Sequence, residues 1–312
     1  MRSNRLAVST RLGRVRADHL LRRVAVVASG LAIALVGAAS AEAGVNSSQS
    51  GDLKPSSRMA VALTDQNQLV SFKARKPDQL LSIRSIRGLQ PGVSMVGIDY
   101  RPKTGDLYGV GSDSAVYRIN PQTGIAIAEN VDATGNPVAF TPGLSGTSFG
   151  VDFNPAPDAI RLVSDAGQNQ RLAPDAGTTL GVDTTLNPGM PKVGGAAYTN
   201  SSFSVTQPLA ANVQLYVVDY ANDMVYLQNP PNNGTLTNGQ KLTGVDVQPQ
   251  FGWDIAGAND VGYLATNDRR GRAASLYTVD ETTGFTRNLG QIGGRRLRGL
   301  TVTGLAVSQD QP

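Results

Sequence analysis

Three aspartates occupy matched places in short, similar segments. They are Asp99 in Gly97-Ile98-Asp99-Tyr100, Asp152 in Gly150-Val151-Asp152-Phe153 and Asp254 in Gly252-Trp253-Asp254-Ile255. If these segments are equivalent strands beside a common axis, the carboxylates converge there. Three carboxylate oxygens, completed by waters or carbonyls, could hold Ca²⁺, a hard cation that takes oxygen ligands. Paired carboxylates could also run glycoside hydrolysis, where a separation of roughly 5–9.5 Å decides the stereochemistry. The structural alternative is that each aspartate accepts backbone N–H bonds from the next repeat.

A second polar group is denser. Arg161, Asp165, Gln168, Asn169 and Arg171 fall within Arg161-Leu162-Val163-Ser164-Asp165-Ala166-Gly167-Gln168-Asn169-Gln170-Arg171. Two arginines with a carboxylate and two amides suit a carboxylate or sugar ligand. The competing reading is a hairpin turn, because Asp165-Ala166-Gly167-Gln168-Asn169 has turn chemistry throughout. Trp253, the lone tryptophan, reads as core packing rather than a ligand platform.

Composition removes whole classes of chemistry. There is no cysteine, and the single histidine is His19, near the start of the chain. Without that first segment the chain has no Ser-His-Asp or Cys-His nucleophile, no zinc site built on His or Cys, and no disulfide. Stability must then come from a large apolar core rather than covalent staples.

The first segment reads as an export signal over 1–43. Seven arginines precede an apolar run from Val24 to Ala39, and Ala39-Ser40-Ala41 and Ala41-Glu42-Ala43 both fit a signal-peptidase site. The apolar run is short for a membrane span. Arg22-Arg23 resembles part of a twin-arginine signal but lacks the fuller motif, so the sequence does not choose the export route. Seven of the 28 basic and two of the 24 acidic residues lie in 1–43, which leaves 21 against 22 in the remainder. The basic character therefore belongs to the leader and is no argument for nucleic-acid binding. Arg269-Arg270-Gly271-Arg272 and Arg295-Arg296-Leu297-Arg298 read as solvated turns. Residues 44–57 are small and polar and read as a disordered lead-in.

The elements that would position the aspartates are short strands. Val96, Ile98 and Tyr100 alternate with Gly97, Asp99 and Arg101, the period of a strand. Pro102-Lys103-Thr104-Gly105-Asp106 turns the chain. Leu107–Gly111 and Val116–Ile119 are further strands, and Ile125–Ala128 supplies a fourth. The first strand recurs at Gly97, Gly150, Gly195, Gly252 and Gly299, about 45 to 57 residues apart. Four strands per repeat at that spacing predict propeller blades. The N-terminal group, from Met59, lacks a first strand, while Leu297–Thr303 is a first strand with nothing after it. Pairing the two closes a ring of five blades. A β-sandwich or an open β-solenoid is the alternative. The mature part has 20 Asp and only 2 Glu, a skew that favours turns over helices.

The segments Phe149–Pro155 (FGVDFNP), Arg161–Leu172 (RLVSDAGQNQRL), Gln228–Leu236 (QNPPNNGTL) and Leu276–Gly284 (LYTVDETTG) resemble an exported bacterial family labelled domain of unknown function 4394. The resemblance covers roughly residues 59–302. It implies export and a propeller-like repeat fold, and it implies no reaction. The third copy departs from the pattern, with Gly195-Ala196-Ala197 in place of the aspartate.

The expectation is therefore an all-β chain. It comprises a signal peptide (1–43), a lead-in (44–57), a five-bladed β-propeller (58–303) closed by its C-terminal strand on the N-terminal blade, and a tail (304–312). Its expected role is a monomeric, non-enzymatic binding module, exported to the periplasm or beyond, with a protein or glycan partner. No nucleic acid, stable membrane span or cofactor is expected, Ca²⁺ being the one cation considered. The alternative is a carboxylate-based hydrolase or lyase acting on a carbohydrate-like substrate.

Overall fold

The computed structural model describes residues 57–203, 212–257, 260–271, 273–294, 299 and 301–308. The expected signal peptide, nearly all of the lead-in, and Arg295–Arg298 lie outside them.

Twenty strands among the described residues form five four-stranded antiparallel sheets. The first blade comprises β4 (Met95–Tyr100), β5 (Leu107–Gly111), β6 (Val116–Ile119) and β7 (Ala126–Ala128). The second comprises β8 (Phe149–Asn154), β9 (Ala159–Ser164), β10 (Asn169–Ala173) and β11 (Thr178–Val182). The third comprises β12 (Val193–Tyr198), β13 (Leu215–Asp219), β14 (Met224–Gln228) and β15 (Leu236–Lys241). The fourth comprises β16 (Phe251–Ala256), β17 (Val261–Asn267), β18 (Ala274–Val279) and β19 (Thr286–Gln291). The closing blade joins β1 (Met59–Thr64), β2 (Gln68–Lys73) and β3 (Lys76–Ser85) to β20 (Val302–Val307), in the order β20-β1-β2-β3. The molecule is a five-bladed β-propeller.

The pattern of burial explains why these sequences make blades. A blade packs on both faces, so its inner strands are apolar on both sides and their residues divide alternately between two neighbours. On β1, Ala60 and Ala62 pack toward the fourth blade, while Val61 and Leu63 pack toward the first. On β5, Leu107 faces the closing blade, and Tyr108 and Val110 face the second. Five apolar clusters result, one at each interface between neighbouring blades. At the first-to-second interface Tyr108 meets Phe153 edge-on, with ring centroids 5.3 Å apart, a favoured aromatic geometry.

The closing strand corrects the sequence reading by five residues. The expected strand was 297–303, with Gly299 as the glycine of the repeat. Instead β20 runs to Val307 and pairs Ala60 with Val307, Val61 with Ala306, Ala62 with Leu305 and Leu63 with Gly304. The expected domain end at 303 thus falls inside the strand, and 304–307 are no tail. Gly299-Leu300-Thr301-Val302 and Gly304-Leu305-Ala306-Val307 share a Gly-Leu-x-Val pattern, which is why the two are confused. An odd offset turns every side chain to the opposite face. Gly299 itself is exposed and lies at φ +90°.

Candidate functional site

The innermost strand of each blade is a sheet edge, so part of its backbone has no neighbouring strand to bond. Close approach at the axis depends on the glycines. A Cβ on Gly150 would lie 2.5 Å from the Ala196 nitrogen, and one on Gly252 would lie 2.5 Å from the Gly304 carbonyl carbon and the Leu305 nitrogen. The space left between the glycines is about 10 Å³, room for about one water at most.

Two residues beyond each glycine the structure places Asp99, Asp152, Ala197, Asp254 and Ala306. The three aspartates converge as expected, with ligand oxygens within 4.8 Å of one another, and all three are buried. Their oxygens are committed. Asp99 accepts N–H bonds from Tyr100 and Phe153, each 2.7 Å. Asp152 accepts from Tyr198 at 2.8 Å. Asp254 accepts from Ile255 at 2.6 Å and Val307 at 2.5 Å. The donors are the equivalent N–H groups of all five innermost strands, so three carboxyls serve five blades. Where the preceding blade supplies only Ala306 or Ala197, Asp99 and Asp254 each turn one oxygen to the N–H of the following residue. Asp152 needs no such bond, because Asp99 already takes the Phe153 N–H.

Burial pushes all three carboxyl groups up. Asp99 is well above the ordinary carboxylate value, from burial first and then the charge of Asp254. Asp152 is likewise well above it, from burial and then Asp99 and Asp254. Asp254 is pushed to about 7 by burial, against the pull of the Val307 and Ile255 N–H groups. Asp99 and Asp152 also act on one another, the contact lowering Asp99 and raising Asp152. This arrangement suits a hard cation poorly. Ca²⁺ takes six to eight oxygens, whereas here five N–H dipoles aim their positive ends at the carboxyls. Acid–base catalysis would need a carboxyl that reaches a substrate, whereas all three are buried.

The second polar group divides into two parts. Arg161, Asn169 and Arg171 share one face of the β9–β10 hairpin, Arg161 opposite Arg171. Arg161 is fully buried. It donates to Asp183 at 2.6 Å, to Asn169 and Asn232 at 2.8 Å each, and to the Tyr198 hydroxyl at 3.1 Å. Arg171 holds Asp183 with two bonds of 2.9 Å. Asn169 donates to the carbonyls of Thr184 and Pro231. The segment from Gln228 to Gly234 is thereby clamped onto the second blade. Asp165 and Gln168 belong to the hairpin turn and hold the segment before β8. Asp165 accepts from the Thr147 N–H and hydroxyl and from the Tyr220 hydroxyl, and Gln168 accepts from the Ser145 N–H and donates to the Gly143 carbonyl. Trp253 is core, its indole N–H on the Tyr216 carbonyl at 3.2 Å.

Sequence reasoning missed Arg101. It is buried just beyond β4 and holds Asp158 and Asp175 of the second blade at 2.5 to 2.9 Å, with its guanidinium 5.7 Å from the Tyr108 ring centre. Its partners stand 57 and 74 residues away, and no local pattern marks it. The alternation at Val96–Arg101 puts it among the polar positions, which is the only signal available.

On the side of the axis where the innermost strands begin, a cavity of about 220 Å³ opens above the glycines. Its lining includes Asp65, Ser94, Thr147, Phe149, Gln250 and Thr303. Among the described residues no helix is long and apolar enough to cross a membrane.

Fold and axis together define a closed β-propeller whose centre is latched by shared carboxyls. The family model described as domain of unknown function DUF4394 matches residues 68–306, and the chain belongs to that family. No curated protein matches it. Among solved structures it is similar to hydrazine synthase of Kuenenia stuttgartiensis, with 8% identity, a TM-score of 0.37, and coverage of 66% of this chain and 51% of that one. It is also similar to the Dos1 propeller, with 12% identity, a TM-score of 0.38, and coverage of 72% and 55%. The chain spans about half the length of these two structures.

Proposed function

We propose that this protein is a non-enzymatic binding module, exported by the leader over 1–43, that takes a protein or glycan partner at one rim of the propeller. The observation that carries this reading is the latch at the axis. The three carboxyls best placed for acid–base work are buried, and five backbone N–H groups occupy them. A hydrolase would need at least one of them open to substrate. A propeller rim, by contrast, offers many turns on a rigid scaffold, an arrangement suited to binding.

The test is an assay for released reducing ends with the full mature chain on a panel of polysaccharides, run beside Asp152→Asn. No release by either protein is the expected result. Release by the wild type that disappears in Asp152→Asn overturns the reading in favour of a carboxylate-based hydrolase.

A further inference from the structure

The axial cavity has a feature that packing does not explain. Thr303, in the innermost strand of the closing blade, lines both the cavity and the constriction beneath it. Its hydroxyl is buried and has no hydrogen-bond partner. Leaving a buried hydroxyl unmet costs about 1–3 kcal/mol, and native structures satisfy most such groups. Its counterparts one residue before the axial glycine are Val96, Phe149, Gly194 and Phe251. A valine there would pack as well and leave no polar atom stranded.

The remaining lining is arranged for a small ligand. Phe149 is half-buried and adds an aromatic residue to the lining. Ser94 and Gln250 stand exposed around the mouth, and Asp65 contributes a carboxylate from the β1–β2 turn. Thr147 lines the wall with its hydroxyl donated to Asp165 at 2.7 Å. The Ser148 hydroxyl is already committed to the Pro249 carbonyl at 2.6 Å, which fixes the wall. Hydroxyls, one amide and one acceptor carboxylate around an aromatic floor can bond a compound carrying several hydroxyl groups, while the ring covers an apolar C–H face. The described lining holds no cationic side chain, so an anionic ligand would meet Asp65 without compensation. The volume, small for a ligand pocket, limits the ligand to about one sugar ring.

From this we infer that the axial cavity is a binding site for a neutral monosaccharide unit, with Thr303 as the deepest hydrogen-bonding group. The inference rests on the binding-module reading and names the ligand class of its rim. Asp65, Ser94, Thr147 and Gln250 contribute from four different blades, so the site exists only in the closed ring.

The experiment is saturation-transfer NMR on the full mature chain with glucose, galactose, mannose and N-acetylglucosamine as probes. At least one sugar should show saturable transfer. Thr303→Val, which keeps shape and removes the unmet hydroxyl, should raise the melting temperature of the free protein and weaken transfer about tenfold, the worth of one hydrogen bond. Gln250→Ala, at an exposed position that cannot unfold the ring, should weaken it as well. No transfer from any of the four sugars, or transfer unchanged in both variants, overturns the inference. Either result leaves a protein partner at the rim untouched, whereas release of reducing ends sinks the non-enzymatic reading and leaves the site standing.

Discussion

A carboxyl that accepts two backbone N–H bonds while facing two other carboxyls is under opposing pressures. The N–H bonds favour the charged form, whereas burial and like charges favour the neutral one. At Asp254 burial prevails and the pKa stands at about 7. In the unfolded chain an aspartate titrates near pH 4, so between about pH 4 and about pH 7 the native state holds more protons. Stability is then fully present below the unfolded value and is lost as pH rises through the folded one. Glu281, pushed by burial to about 7, acts in the same direction. Thermal melts followed by circular dichroism should therefore show a higher midpoint near pH 5 than near pH 8. Asp254→Asn removes one titrating group but leaves one of two N–H groups without an acceptor, at about 1–3 kcal/mol. It should melt lower at about pH 5 with a flatter profile above it; an unchanged slope would show that the latch is not the source. The convergence of Asp99, Asp152 and Asp254 was legible because repeat position fixes distance from the axis. Their division among five donors was not, because it depends on which blade precedes each aspartate. Thr303 gave no signal, since a lone threonine in an apolar strand is ordinary.

At the scale of elements, β20 decides whether the ring exists. Removing residues 304–312 deletes four of its six residues, takes the Val307 N–H from Asp254, and uncovers the edge of β1. Ala60, Ala62, Val61 and Leu63 then lose cover at two interfaces. This truncation should abolish the cooperative thermal transition; a truncated chain that melts like the wild type would show that the strand adds nothing. The blade units were readable from glycine spacing and from strand alternation at Val96–Tyr100. Register at the closing strand was not, because Gly-Leu-x-Val occurs twice within nine residues and only contacts with Gly252 and Asp254 distinguish the copies. The polar group at 161–171 illustrates the same limit. Its turn at Asp165–Gln168 could be read locally, but Arg161 acquires its role from Asp183 and Asn232, 22 and 71 residues away.

Across the whole molecule, the five apolar interfaces form an unbroken cycle, and each blade borrows its cover from two others. The point where the cycle is joined lies within a sheet, because β20 and β1 share a backbone ladder. Ser308 donates to the Met59 carbonyl at 2.7 Å, so the chain enters and leaves the ring side by side. Moving the chain break tests what that placement achieves. A circular permutant that links Ser308 to Ser57 and opens near Gly92 would keep every blade, but its break would fall between sheets, where side chains alone hold. Native and permuted forms should then differ little in equilibrium stability and clearly in unfolding rate after a denaturant jump, the permutant being faster; equal rates would count against the idea. Opening the native ring requires stripping a hydrogen-bonded strand, so the offset of the two chain ends acts as a kinetic lock.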